Sequence, residues 1–372
     1  MKPLIKWPGG KSRELEKIRP YLHNKFDRFI EPFLGGGAVY FSLENEKNVV
    51  NDINSNLIDL YRHLQTKDEN LISSLYKIAS DWNILKPKSD LLINEFEEIR
   101  NDLQKTDLNE ITIRSLTKKF YYIKEKLASI NFELSTMGSE EYVSYLFTSL
   151  LSKALRISRL ERAHDRKMTD NWSYQDHLEN SIKSAYYTML RDTPVECATE
   201  KLARFYFIRE FCYGSMFRFS SSGKFNIPYG GNAYNKKSFE RKVDYALSPD
   251  VGKLLQNTDF HNQSFDTFLK LVDPKENDLI FFDPPYDSDF KDYGMDPFTK
   301  DHHKRLAEIF KDLPSQNIMI IGKTDYIHSL YKEMQKENPD IVISDYEKTY
   351  SYNVRGRNNR GAEHLLITNF EQ

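Results

Sequence analysis

The sequence predicts an α/β chain built on a seven-stranded, doubly wound, mostly parallel sheet, interrupted by an inserted, mainly helical domain. Three observations carry that reading. Short β-rich runs alternate with amphipathic segments at both ends of the chain, several runs are apolar throughout, and the long stretch between them shows only helical periodicity.

In chain order the expected strands are 28–31, 48–50, 258–261, 278–282, 317–321, 341–347 and 364–368, each bounded by turn residues. Leu279-Ile-Phe-Phe and Ile318-Met-Ile-Ile read as strands covered on both faces. Helices are expected at 37–45, 54–65, 265–271, 299–311 and 327–337. No helix separates the last two strands, so the connection Ser351–Gly361 predicts an antiparallel pair at the end of the sheet. Leu91–Ile99 and Tyr142–Leu151 carry helical spacing, placing residues 61–254 in the insert and residues 1–60 with 255–372 in the sheet domain.

Composition narrows the class. Of 372 residues, 39% are hydrophobic, 13% aromatic and 29% charged, too aromatic for a disordered chain and too charged for a membrane protein. No apolar run approaches the ~20 residues of a membrane span, and Gly9-Gly10 interrupts the N-terminus before a signal-like stretch forms, so a cytoplasmic protein is expected. Cys197 and Cys212 are the only cysteines, which excludes a disulfide scaffold or a cysteine-rich zinc site. Net charge is −2, yet nine basic residues stand against Glu210 and Glu240 between Lys201 and Lys242. Lys153–Lys167 adds six against Glu161 and Asp165. Such clustering suits one face meeting a polyanion; for 153–167 a solvated helix face explains it as well.

The strongest chemical signal is Asp283-Pro284-Pro285-Tyr286, directly after the apolar strand, where open α/β sheets place their ligand chemistry. The prolines remove two amide donors and leave carbonyls beside a carboxylate, an acceptor set matched to a planar amino group, with Tyr286 able to stack on the ring that bears it. The competing reading is a turn capped by Asp. Glu31-Pro-Phe33-Leu-Gly35-Gly-Gly37 after the first strand lets a ligand approach the backbone, with a helix N-terminus expected behind it. It lacks the third glycine of the dinucleotide fingerprint, since Tyr40 stands there. Asp52, ending the second strand, suits ribose hydroxyls or else caps a helix. Lys6-Trp7-Pro-Gly-Gly-Lys11 offers an aromatic wall and a cation. The pair His302-His303 falls at a helix start where Asp301 caps and histidine is exposed, and no other His or Cys is spaced to join it, so no catalytic metal is expected.

Together, Lys6–Lys11, Phe33–Gly37, Asn51-Asp52-Ile53 and Asp283–Tyr286, in this order, resemble the DNA adenine-N6 methyltransferase family of the Dam-like type, whose recognition domain is inserted between the cofactor and catalytic halves. Phe217-Arg-Phe-Ser-Ser-Ser-Gly-Lys-Phe-Asn-Ile-Pro-Tyr229-Gly230 resembles the family's DNA-contacting hairpin, and Glu363-His-Leu-Leu-Ile-Thr-Asn369 its terminal run. The resemblance implies S-adenosylmethionine as methyl donor, held by Trp7, Lys11, Phe33, Gly35, Asp52, Ile53 and Asp283, with Asp259 and Phe260 beside the adenine of the donor. It implies Asp283, Pro284 and Tyr286 as the catalytic set, and Arg218, Lys224, Asn226 and Tyr229 as DNA contacts. Duplex DNA is then the partner, the target base is swung out of the helix, and a restriction endonuclease acting on the same site could accompany the enzyme. Neither cysteine sits in the Pro-Cys setting of a covalent mechanism. Arg355-Gly-Arg357-Asn-Asn-Arg360 could clamp phosphate or form a solvated loop tip. Cytosine N4, RNA adenine and a protein amide also present planar amines to such a fold, and a silent DNA-binding protein would keep the fold without turnover.

Overall fold

The apolar runs pair into one seven-stranded sheet in the order β3-β2-β1-β4-β5-β7-β6. A computed structural model of the chain describes residues 1–22, 25–43, 45–164, 173–220, 222–287, 298–349 and 361–370. The strands are β1 Phe29–Glu31, β2 Asn48–Asn51, β3 Thr258–His261, β4 Leu279–Phe282, β5 Gln316–Gly322, β6 Val342–Thr349 and β7 Gly361–Thr368. All seven fall where the sequence places them. The first five pair in parallel, and β7 lies antiparallel to both β5 and β6.

β1 and β4 are short and buried along their whole length, which explains their unbroken apolar character. Helices Phe265–Val272, Lys300–Asp312 and Asp325–Glu337 supply Phe268, Phe310 and Tyr331 to a core that also takes Ile30, Ile280, Phe282 and Ile321 from the strands.

Helix 37–45 is a correction. The chain after Gly37 makes a single 3-10 turn, Tyr40–Ser42, and then runs toward β2. Ala38, Val39, Tyr40 and Phe41 are all buried, so no polar face exists for an amphipathic helix, and the stretch before β2 is too short to propagate one. The glycines are therefore not followed directly by a helix N-terminus.

Chain contacts separate two units: Met1–Lys67 with Met216–Asn226 and Ala246–Gln372, and Asp68–Ser215 with Ile227–Tyr245. The hairpin tip thus groups with the sheet. Within it Phe219 bridges Phe225, Ser220 N–H donates to the Lys224 carbonyl at 2.8 Å, and Gly223 takes φ +75° to close the turn.

The second unit is helical, and its helices include Glu69–Lys88, Ile93–Gln104, Ser139–His164, Tyr174–Asp192 and Ala198–Phe211. Trp82, Phe207 and Phe211 form its aromatic centre, ring against ring at 4.6–5.1 Å. Two arginines of the basic run, exposed themselves, spend guanidinium donors on backbone carbonyls: Arg162 donates to the Leu103 and Gln104 carbonyls at 2.9 Å, capping the helix Ile93–Gln104, and Arg159 donates to the Leu108 and Ile111 carbonyls. Lys153 bonds Asn180, and burial pulls its pKa down to about 8. These three side chains have partners within the unit, and Arg156, Arg159 and Arg162 are all exposed.

Gly230 donates its N–H to the Phe211 carbonyl, and a Cβ there would stand 2.4 Å from Cδ2 of Tyr234. The Tyr234 ring is itself pinned under Lys237 and beside Tyr229. Gly230→Ala is expected to destabilise this unit by about 1–3 kcal/mol, read as a lower Cm at unchanged m-value in urea unfolding.

Candidate active site

The strand order reverses at β1, which pairs with β2 on one side and β4 on the other. The crevice outside the carboxyl ends of β1 and β4 is thus the topological switch point of the sheet. Three loops meet there, and the N-terminal segment joins them.

Gly35 and Gly37 take φ +48° and +66°, conformations that strain any residue with a Cβ. Trp7 lies on this loop: a Cβ at Gly35 would come within 3.0 Å of the indole Cδ1, and one at Gly36 within 3.2 Å of the Trp7 Cβ. The loop is fastened to β2 by Asp52, whose Oδ2 accepts the Gly35 N–H at 2.8 Å while Oδ1 accepts that of Asn54 at 2.8 Å. Asn54, not Asp52, caps the following helix Ser55–Gln65, so capping does not account for Asp52. Burial pushes the Asp52 carboxyl up, and the two amide bonds pull it back.

Lys11 is 2% exposed, and its ammonium donates to the Asp283 carboxylate and, at 3.0 Å, to the Gly9 carbonyl. It also stands 5.1 Å from the centre of the Tyr286 ring. Pro284 is buried, and Tyr286 is half-buried. Glu31, at the end of β1, completes the set. It is 2% exposed, and its Oε2 has no hydrogen-bond partner among the described residues. Burial first, then the neighbouring Asp283, holds its carboxyl well above the usual range. Three acidic residues, Glu31, Asp52 and Asp283, thus stand at this edge with Lys11 paired to the last of them, a polarity suited to a cationic ligand.

Other expected positions spread more widely. Phe33 packs its ring on Phe265 and Phe298 at 5.5 and 5.8 Å, at the crevice side of the core. Ile53 is 73% exposed, and Asp259 is exposed beside Phe260, whose ring stacks on Tyr61 at 5.5 Å. In the hairpin, Arg218 Nε donates to Asn226 Oδ1 at 2.7 Å, so these two form one cross-strand pair, and Lys224 is exposed. Tyr229 lies elsewhere, in the core of the helical unit, its hydroxyl donating to Asn235 Oδ1 at 2.7 Å.

Thr299, not Asp301, caps the helix Lys300–Asp312, through a box with His302. His303 is buried against Phe298, and burial pulls its pKa down to about 4. The loop Arg355–Arg360 lies outside the described residues. No group of three or more metal-ligating side chains occurs among the described residues, nor any helix long and apolar enough to cross a membrane.

Sequence reasoning passed over Glu31 and Asn51 as site-builders. Asn51 donates to the Pro32 and Gln263 carbonyls and accepts the Gln263 N–H, tying the ends of β1, β2 and β3 together. A polar residue at the carboxyl end of a fully buried strand, present at both positions, is the signal that marks them.

Residues 7–344 match the family described as D12 class N6 adenine-specific DNA methyltransferase. The chain is 26% identical over its full length, and that of the relative, to "Type II methyltransferase M.CviBI" of Paramecium bursaria Chlorella virus NC1A. It is 23% identical to "Type II methyltransferase M1.LlaDCHI" of Lactococcus lactis subsp. cremoris, over 100% of this chain and 96% of the relative. Similarity to "DNA adenine methylase" of Escherichia coli (strain K12) is 21% over 85% of this chain and 78% of that protein.

The Gly35 seat yields a direct test. Gly35→Ala meets both a positive φ and the Trp7 ring, so a loss of about 1–3 kcal/mol in stability is expected, with a changed tryptophan emission reporting the displaced indole.

Proposed function

The chain belongs to the D12 class N6 adenine-specific DNA methyltransferase family, and from that premise we propose that it transfers methyl from S-adenosylmethionine to adenine N6 of duplex DNA, directly onto a swung-out base. The observation that carries this reading is the Lys11–Asp283 pair, which joins the N-terminal motif to the acceptor tetrapeptide beside the Gly35 loop.

The residues present fit the donor. Its ammonium and sulfonium are cations, matching the carboxylate excess and the unpartnered Glu31 Oε2. Asp52 retains lone pairs for ribose hydroxyls beyond its two amide bonds, Gly35 and Trp7 shape the wall, and Phe33, Ile53, Asp259 and Phe260 are the further positions proposed to line it. When bound, S-adenosylmethionine supplies a methyl group made electrophilic by its sulfonium.

Asp283 and the Pro284 carbonyl accept the two N–H bonds of the adenine amine, drawing the nitrogen lone pair out of ring conjugation, and Tyr286 stacks on the base. The N–C bond forms as the S–C bond breaks toward sulfur, and one N6 proton is held at the Asp283 carboxylate before it leaves to water. Lys11 orients that carboxylate. Arg218 with Asn226, and Lys224, present the hairpin to DNA; Tyr229 supports the segment that follows. A cytoplasmic setting and a companion endonuclease of the same specificity fit this reading.

Labelled methyl from S-adenosylmethionine should appear as N6-methyladenine in unmethylated duplex DNA and vanish with Asp283→Ala; no label in DNA despite donor binding would sink the proposal. Donor binding has its own signature. Because burial and Asp283 hold the Glu31 carboxyl well above its usual range, a bound cation should lower it again, so affinity rises with pH and levels off above that raised pKa. Calorimetry in buffers of different ionisation enthalpy should register proton release in the wild type and less in Glu31→Gln, whose affinity falls about tenfold, or ~1.4 kcal/mol.

A further inference from the structure

The terminal run Glu363–Asn369 has no role in the chemistry above, yet β7 carries one of its residues, His364, to the acceptor tetrapeptide. His364 pairs in register with Gly322 of β5 on one side and Tyr346 of β6 on the other, so the three form a row on one face of the sheet. The Tyr286 ring lies over the first position of that row: a Cβ at Gly322 would stand 3.3 Å from its Cδ2. The second position meets the same ring edge-on, with centroids 5.1 Å apart at 88° and His364 Nδ1 3.5 Å from the Tyr286 hydroxyl.

The N-terminal segment runs along this row in steps of three. Lys11 stands over Tyr286, Glu14 Oε1 lies 3.4 Å from His364 Nδ1 and accepts the Tyr346 hydroxyl at 2.7 Å, and Lys17 stands 4.0 Å over the Tyr346 ring. His364 and Glu14 are both nearly fully buried. On the opposite face Lys323 pairs with two exposed carboxylates, Asp345 and Glu363. An imidazole at His364 is a costly choice for a strand interior unless its ring nitrogen is used.

We infer that His364 is a positioning residue for Tyr286: seated against Gly322 and backed by Glu14 and Tyr346, it fixes the tyrosine ring that stacks on the acceptor base. The inference rests on the proposed function, because that reading gives Tyr286 its task. It extends the reading by making the C-terminal strand and the N-terminal segment one clamp around the acceptor aromatic.

The test uses the full chain with 3-fluorotyrosine incorporated, the resonance at position 286 being assigned by its loss in Tyr286→Phe. His364→Leu should shift or broaden that resonance and lower kcat for methyl transfer to duplex DNA by about ten- to a hundredfold, with S-adenosylmethionine affinity and KM for DNA within about twofold of wild type. His364→Asn, which keeps a polar group near the Nδ1 position, should recover most of both signals. An unchanged resonance and kcat in His364→Leu would overturn the inference, as would equal losses in both variants accompanied by weaker donor binding, the pattern of a merely structural residue. If the wild type transfers no methyl to DNA, the proposed function fails on its own, and the fluorine resonance then decides the clamp: moved by His364→Leu it stands, unmoved it falls.

Discussion

A lysine withdrawn almost completely from water is the constraint around which the crevice is arranged. Removing an ammonium from water costs several kcal/mol, and only a close carboxylate with a second acceptor offsets that cost. Lys11 has both, in Asp283 and the Gly9 carbonyl. The pair joins residues 272 positions apart in the 372-residue chain, so the N-terminal segment is held against the end of β4 by a charge contact rather than by a strand pairing. That position sets the rest: Trp7 lies against the Gly35 loop, and Glu14 and Lys17 follow onto β6 and β7.

Topology explains why the carboxylates collect there. Parallel strands end on the same edge of a sheet, and the reversal of order at β1 opens a gap on that edge. Glu31 ends β1, Asp52 follows β2 and Asp283 follows β4, so three acidic residues arrive together because their strands do. Burial, and after it the negative charge of Asp283, therefore holds the Glu31 carboxyl well above its usual range. On the proposed function, a bound cation would offset both the burial and the repulsion.

Strands and motifs were legible in the sequence because they obey local rules. Leu279-Ile-Phe-Phe is apolar because β4 is covered on both faces, and the glycines at 35 and 37 stand where φ is positive. What was not legible depends on partners distant in sequence. The segment after Gly37 carries a helix-like run, yet all four of its first side chains are buried by the sheet unit and the turn stops at once. The basic run 153–167 reads as a surface, but Arg159 and Arg162 are consumed by carbonyls some fifty to sixty residues earlier in the chain, at and beyond the end of the helix Ile93–Gln104. Tyr229 sits in a motif that resembles a DNA-contacting hairpin, and its ring faces the aromatic centre around Trp82 and Tyr187. Counting charges and rings along a chain cannot distinguish a group offered to a ligand from one spent on a distant helix end.

The grouping of the hairpin tip with the sheet follows from one aromatic series. Trp7 meets Phe217 edge-on at 4.7 Å, and Phe217 stacks toward Phe219 and meets Phe225, which bridges Phe219 across the turn. Trp7 is also the residue on which Gly35 rests. The loop that shapes the crevice and the strands that present Arg218 and Lys224 therefore share a single indole. A rigid ring in contact with both transmits position better than a flexible chain would, because each aromatic contact restricts the next to a few relative orientations. The hairpin is in this sense an extension of the Gly35 loop, and its orientation is set where the donor is proposed to bind.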